Sequence, residues 1–197
     1  MKVVSGGIMG KIKIRLADVP LFAKDEYHPD QVKFYAKITE LMYKALNLGS
    51  IYNFIEEFVT QLGIKEDIEI RIMRLPSHKS RIVAIDLEKG KLLEEQQYAR
   101  AWKKKPLIDI FPNALFISKN VKPHWSIGFR GFLLNSIIRA LIHELLHKGG
   151  LKNENEVRRK TEEYYEEFRA KYLKQLEKEL KPIVKEWKKF GHELGLG

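Results

Sequence analysis

The chain contains no cysteine. Disulfides, thiolate zinc sites and cysteine nucleophiles are thereby excluded, which leaves histidine and carboxylate as the strong metal ligands. Long apolar runs are also missing. None reaches the ~18 residues of a membrane-spanning helix, and the lysine-containing start lacks the apolar core of ~7–15 residues that a secretory signal needs. A cytoplasmic protein without membrane contact is therefore expected. No internal repeat or low-complexity segment appears. What is present, 44% hydrophobic and 31% charged residues, is the composition of a globular chain. Its 197 residues can bury a sizeable core in one domain, or in a catalytic part with a helical extension.

The net charge of +10 admits an acidic partner such as nucleic acid. Against that, Lys and Glu are abundant together throughout, a bias that suits surface ion-pair networks at high temperature. The sequence also shows no aromatic-interleaved basic motif and no Cys/His finger, so nucleic acid is possible but not the favoured partner.

Hydrophobic periodicity divides the chain. Lys11 to Arg15 alternates like a brief strand. From Pro29, Val32, Tyr35, Ala36, Ile38, Leu41, Met42 and Leu46 recur at helical spacing up to Gly49, and Ile51 to Leu62 reads as a second helix. The aromatic stripe of Phe34, Tyr35 and Tyr43 is assigned to the core. After Gly63 the period becomes two. Ile68–Ile72, Ile82–Ile85, Leu107–Phe111 and Ala114–Ser118 read as strands, and the polar stretch from Glu88 to Lys105 as a solvated loop or exposed helix. The expected division is an N-terminal helical part, 1–64, and a catalytic part, 65–197, which can form one compact domain.

Beyond an apolar run from Phe132 stands His143-Glu144-Leu145-Leu146-His147, an H-E-x-x-H pattern, followed by Gly149-Gly150. Four residues apart on a helix, the two imidazoles leave one face and can grip one metal ion. Glu144 points to one side, where its carboxylate can reach a water in the open metal position. Ser136, Ala140, His143 and His147 share a narrow, small and polar stripe, while Leu134, Ile137, Leu141 and Leu145 share an apolar one. The glycines end the helix. In the preceding loop, Asn120 to Gly131, His124 and Trp125 are candidates to line a cleft, and Ala114–Ser118 is the strand expected to pair with an extended peptide.

A zinc hydrolase site generally has three protein ligands and one water. Asn153 stands where metzincins place a third histidine, but it is an amide, and no methionine follows Met73 to form their Met-turn. The candidates are carboxylates on the next helix, Asn153 to Leu180, whose packing face carries Val157, Thr161, Tyr164, Tyr165 and Phe168. Pro182 is expected to break or kink that helix, with a short helix from Ile183 to Phe190 after it. By periodicity Glu154 lies on the face of Thr161, Tyr165 and Phe168, and Glu156 lies off that face. The Gly191–Gly197 tail adds His192 and Glu193 as groups that could enter the cleft.

These features resemble the gluzincin metallopeptidases, thermolysin-like enzymes and their compact relatives the minigluzincins, over His143 to about Phe168. In that family an Asn-Glu pair opens the glutamate helix, and Asn155-Glu156 matches it; Lys160 stands where a supporting aspartate is often found. The resemblance implies an α+β, zincin-like fold: a small, mostly antiparallel twisted sheet over the H-E-x-x-H helix and a glutamate helix. It implies Zn2+ held by His143, His147 and Glu156, with Glu144 as general base of a zinc-dependent endopeptidase acting on a peptide or protein substrate. The alternatives from the residues alone are another zinc hydrolase, such as a nuclease, or a basic nucleic-acid-binding protein with a non-catalytic motif.

Overall fold

The computed structural model describes residues 10–17, 29–74, 85–86, 91–92, 99–103, 105–112 and 128–193. Five isoleucines define the buried face of its sheet. Ile68, Ile70 and Ile72 alternate with Glu69 and Arg71 on β2 (Ile68–Ile72), and Ile108 and Ile110 flank Asp109 on β6 (Leu107–Ile110). With β1 (Ile12–Leu16) and β5 (Ala99–Ala101) they form a four-stranded sheet in the order β1-β2-β6-β5. A separate short ribbon pairs β3 (Ile85–Asp86) with β4 (Lys91–Leu92).

The sheet is mixed, which corrects the expectation of a mostly antiparallel one. β1 runs parallel to β2 and β2 parallel to β6, while only β5 is antiparallel to its neighbour. The reason lies in the connections. Between β1 and β2 the chain forms α1 (Pro29–Leu46) and α2 (Gly49–Gln61), and a helical crossover returns the next strand in the same direction. The expected strand over Leu107–Phe111 is β6, and those at Lys11–Arg15 and Ile68–Ile72 are β1 and β2. Only Ile85 of the Ile82–Ile85 run is described, while Ala114–Ser118, His124 and Trp125 lie outside the described residues.

α1 packs on β1, β2 and α5, and its Phe34, Tyr35, Ile38, Leu41, Met42, Ala45 and Leu46 are all buried at helical spacing. A second long helical segment starts at Phe129. It runs as α3 (Phe129–Phe132), a π-helical turn (Leu133–Ile138) and α4 (Arg139–Lys148), and α4 packs against β5 and β6. The wider π turn rotates everything before Arg139 out of the α-helical phase assumed from the sequence. It buries Leu133, Leu134, Ile137 and Ile138 as two adjacent pairs.

The outermost helix, α5 (Glu154–Glu193), packs on α4, α2 and α1. Its buried residues, Val157, Thr161, Tyr165, Phe168, Tyr172, Leu176, Leu180, Ile183, Trp187 and Gly191, form one stripe along its 40 residues, about 60 Å at ~1.5 Å per residue. Pro182 neither ends it nor separates a second helix. That proline is exposed on the side away from the stripe, and apolar burial on both sides of it outweighs the ~3 kcal/mol a helical proline costs. Residues of 1–64 and of 65–197 share one continuous core, in which Phe34 meets Trp187 and Phe54 meets Phe168. No helix of the described residues is long and apolar enough to cross a membrane.

Candidate metal centre

The end of α4 is shaped by two glycines. Gly149 caps the helix and Gly150 takes a φ of 97°, which lets the Gly150 N–H donate to the His147 carbonyl and the Leu151 N–H to the Leu146 carbonyl. This is the paired arrangement of a Schellman end. It also folds the Leu151 carbonyl back beneath the second histidine, where His147 Nδ1 meets it at 2.9 Å. With Nδ1 as donor, the Nε2 of His147 keeps its lone pair.

The two Nε2 atoms stand 3.2 Å apart. A carboxylate oxygen of Glu154 lies 3.4 Å from His143 Nε2 and 3.5 Å from His147 Nε2. In a tetrahedral zinc site with bonds of about 2.0–2.1 Å, two ligand atoms are separated by about 3.3–3.4 Å. The three atoms therefore have the spacing of three corners of such a tetrahedron, and two nitrogens with one carboxylate oxygen form a donor set that zinc accepts. Among the described residues, His143, His147 and Glu154 are the group of this kind.

Glu156, the third ligand expected from the resemblance, is not in that group. Asn153 caps α5: its side-chain oxygen accepts the Glu156 backbone N–H at 3.0 Å. Glu154 is then the first helical residue and Glu156 the third. Side chains on a helix lean toward its N-terminus, so a carboxylate in the first position projects past the helix end toward α4. Glu156 lies two residues on, about 200° further round the helix. The signal was present in the sequence, because Asn153 followed three residues later by Glu156 is the spacing of a capping box.

Glu144 is half-buried beside the imidazoles, and one of its oxygens accepts the Ala101 backbone N–H at 2.5 Å. Burial pushes its carboxyl above the ordinary glutamate range, against the opposing pull of that N–H and of the two histidines. Ala101 belongs to β5, an edge of the sheet among the described residues, within a stretch expected to be a solvated loop. Trp102 N–H donates to Leu107 on β6. The neighbouring Ala101 N–H therefore points to the free side, where Glu144 waits.

Asp109 holds that edge in place. Although fully buried, it accepts from Arg71 of β2 at 2.7 and 2.8 Å, from Arg100 of β5 at 2.9 Å and from Trp102 Nε1 at 2.8 Å. The Arg100 guanidinium also lies over the Trp102 ring. Lys148, at the end of α4, donates to the carbonyls of Trp102 and Lys105 and so ties the histidine helix to the same turn. On the other side, Arg139 of α4 pairs with Glu162 of α5 and covers the Tyr165 ring, whose hydroxyl reaches Asn135.

His192 and Glu193 do not belong to a loose tail. They complete the last turn of α5, roughly 57 Å along the helix from Glu154 at ~1.5 Å per residue; residues 194–197 lie outside the described residues. Entry of His192 or Glu193 into the cleft is incompatible with this helix. Comparison with known protein families, curated proteins and solved structures finds no match to this chain.

Proposed function

We propose that this chain is a zinc-dependent hydrolase that cuts peptide bonds. The observation that carries the reading is the triangle of His143 Nε2, His147 Nε2 and a Glu154 oxygen at tetrahedral spacing, with the Glu144 carboxylate beside it. His143, His147 and Glu154 would hold the ion and leave one corner open. A zinc ion bound there supplies Lewis acidity, bringing the pKa of a water toward ~7 and polarising a carbonyl.

The chain's own groups supply the rest. The Leu151 carbonyl fixes the His147 ring and its tautomer. Glu144 takes a proton from the attacking water and returns it to the leaving amine, and burial holds its carboxyl above the ordinary glutamate range. Among the described residues no strand pairs with the outer side of β5, and beyond the Ala101 N–H that Glu144 accepts its main-chain groups can align an extended chain through hydrogen bonds. That alignment favours a peptide over a compact small molecule.

The test begins with metal analysis of protein purified without a histidine tag, for which about one zinc per chain is expected. A quenched-peptide library should then be cleaved, cleavage should stop on chelation, and it should return with zinc. Absence of zinc would sink the reading. Zinc with phosphodiester cleavage and intact peptides would move the assignment to another zinc hydrolase.

A further inference from the structure

The C-terminal half of α5 carries cations along one side. Lys174, Lys178, Lys181, Lys185 and Lys188 follow at spacings of four, three, four and three residues, which keeps them within a sector roughly 80° wide. All five are exposed, and His192 continues the row. From Lys174 to Lys188 the stripe extends ~21 Å at ~1.5 Å per residue. The N-terminal half of the same sector carries Lys160, Glu163, Glu167 and Ala170. The sector thus changes sign along the helix, unlike an evenly solvated face.

Interleaved acids do not neutralise it, because each is engaged with another element. Glu177 pairs with Arg130 beside α3. Glu179 accepts the Ser50 N–H and hydroxyl at the start of α2. Glu186 pairs with Lys37 and Lys44 of α1. Several cations outside the stripe do have partners, Arg139 with Glu162, Arg159 with Glu163 and Lys171 with Glu57. Among the described residues no ion pair joins any of the five stripe lysines. A surface selected only for ion-pair networks would match its lysines.

The surroundings define the ligand. Trp187 is buried and Phe190 half-buried, so among the described residues of the stripe no exposed aromatic platform is offered for stacking unpaired bases. Leu180 and Val184 floor a shallow groove beside Lys181, Lys185 and Lys188. Leu180 is buried and Val184 half-buried, so neither is the exposed apolar residue that entering a bilayer requires. What remains is contact through charge alone with a stiff, regularly charged polymer. Each strand of duplex nucleic acid carries one charge per ~3.4 Å of axis, so a stripe of ~21 Å spans about six phosphates of each strand. We propose that this stripe binds the phosphodiester backbone of duplex nucleic acid without reading its sequence. Glu154 lies roughly 30 Å from Lys174 along α5, so the stripe and the candidate metal centre share no residue.

The test is fluorescence anisotropy of the full chain with a labelled random-sequence DNA duplex about two helical turns long, titrated at several salt concentrations. Binding should weaken with a log–log slope of about −0.9 per neutralised phosphate. The pairs Lys174→Gln with Lys178→Gln, and Lys185→Gln with Lys188→Gln, should each flatten that slope by about 1.8. Lys13→Gln with Lys65→Gln, exposed lysines away from the stripe, should leave it unchanged. All substituted positions are exposed, and circular dichroism checks that each variant keeps its helices. No binding at about 50 mM salt, where such contacts are strong, would overturn the proposal. So would equal losses in all three variants, or retention by polyglutamate or phosphatidylserine vesicles when the duplex is not retained.

Discussion

At Glu154 the direction in which a helical side chain leans decides its chemistry. The first residue of α5 reaches across the gap to α4, while the Glu156 backbone is occupied with the Asn153 cap. Glu154→Gln should therefore weaken zinc binding by at least about 100-fold in competition with a chelator, and Glu156→Gln by far less. The opposite ranking would return the ligand to Glu156. Glu144→Gln should keep the metal and slow hydrolysis by ~10²–10⁴-fold. The same substitution has a second consequence in metal-free protein. Because burial raises the folded-state pKa of Glu144, its carboxyl favours folding most below the ordinary glutamate range, and that contribution is lost as pH rises through the raised value. Metal-free Glu144→Gln should thus melt above metal-free wild type at pH ~7, with the gap closing toward pH ~3. That His143, Glu144 and His147 come together was legible because it follows from spacing on one helix. The choice of Glu154 over Glu156 turns on the helix start that Asn153 marks, because moving that start by one residue turns a side chain by about 100°.

Among the elements, β5 shows how a polar anchor can replace an apolar one. Three residues, Ala99–Ala101, cannot hold an edge by burial, and Asp109 holds it through Arg100 and Trp102 instead. Removing the acid leaves two guanidiniums facing each other without a counter-charge. Asp109→Ala should cost about 3–5 kcal/mol in urea unfolding. A loss under about 1 kcal/mol, the level of a surface pair, would show that the network is ornamental. Strands β1, β2 and β6 were readable from alternating isoleucines. β5 was hidden because alanine and arginine carry little strand preference and its pairing depends on a partner outside its own sequence. The continuation of α5 through Pro182 was hidden for a related reason: local propensity predicts a break there, and the neighbours that override it come from α1 and α3.

For the whole molecule, the division at residue 64 suggested by the change of period does not separate two cores. β1 hydrogen-bonds to β2, α1 and α2 pack on α5, and Glu186 clamps Lys37 and Lys44 across the same contact. The period in a sequence reports which element forms locally and carries no information on which elements share a core. The clamp is pH-dependent. Hydrogen bonds from Lys37 and Lys44 hold the Glu186 carboxyl below its usual range, so its contribution is complete at neutral pH and is lost as pH falls through that lowered value. Both partners are partly exposed, which limits it to under about 1 kcal/mol. The undivided core has a thermodynamic consequence for the candidate metal centre. A ligand that binds only the native chain raises the free energy of every opening that passes through global unfolding. In calorimetry a single transition should move upward with free zinc, and amide protons at the centre of α1, which touches no ligand, should exchange more slowly as zinc is added. Two transitions, or protection confined to α4 and the first turns of α5, would mean that the helices of 29–61 open on their own.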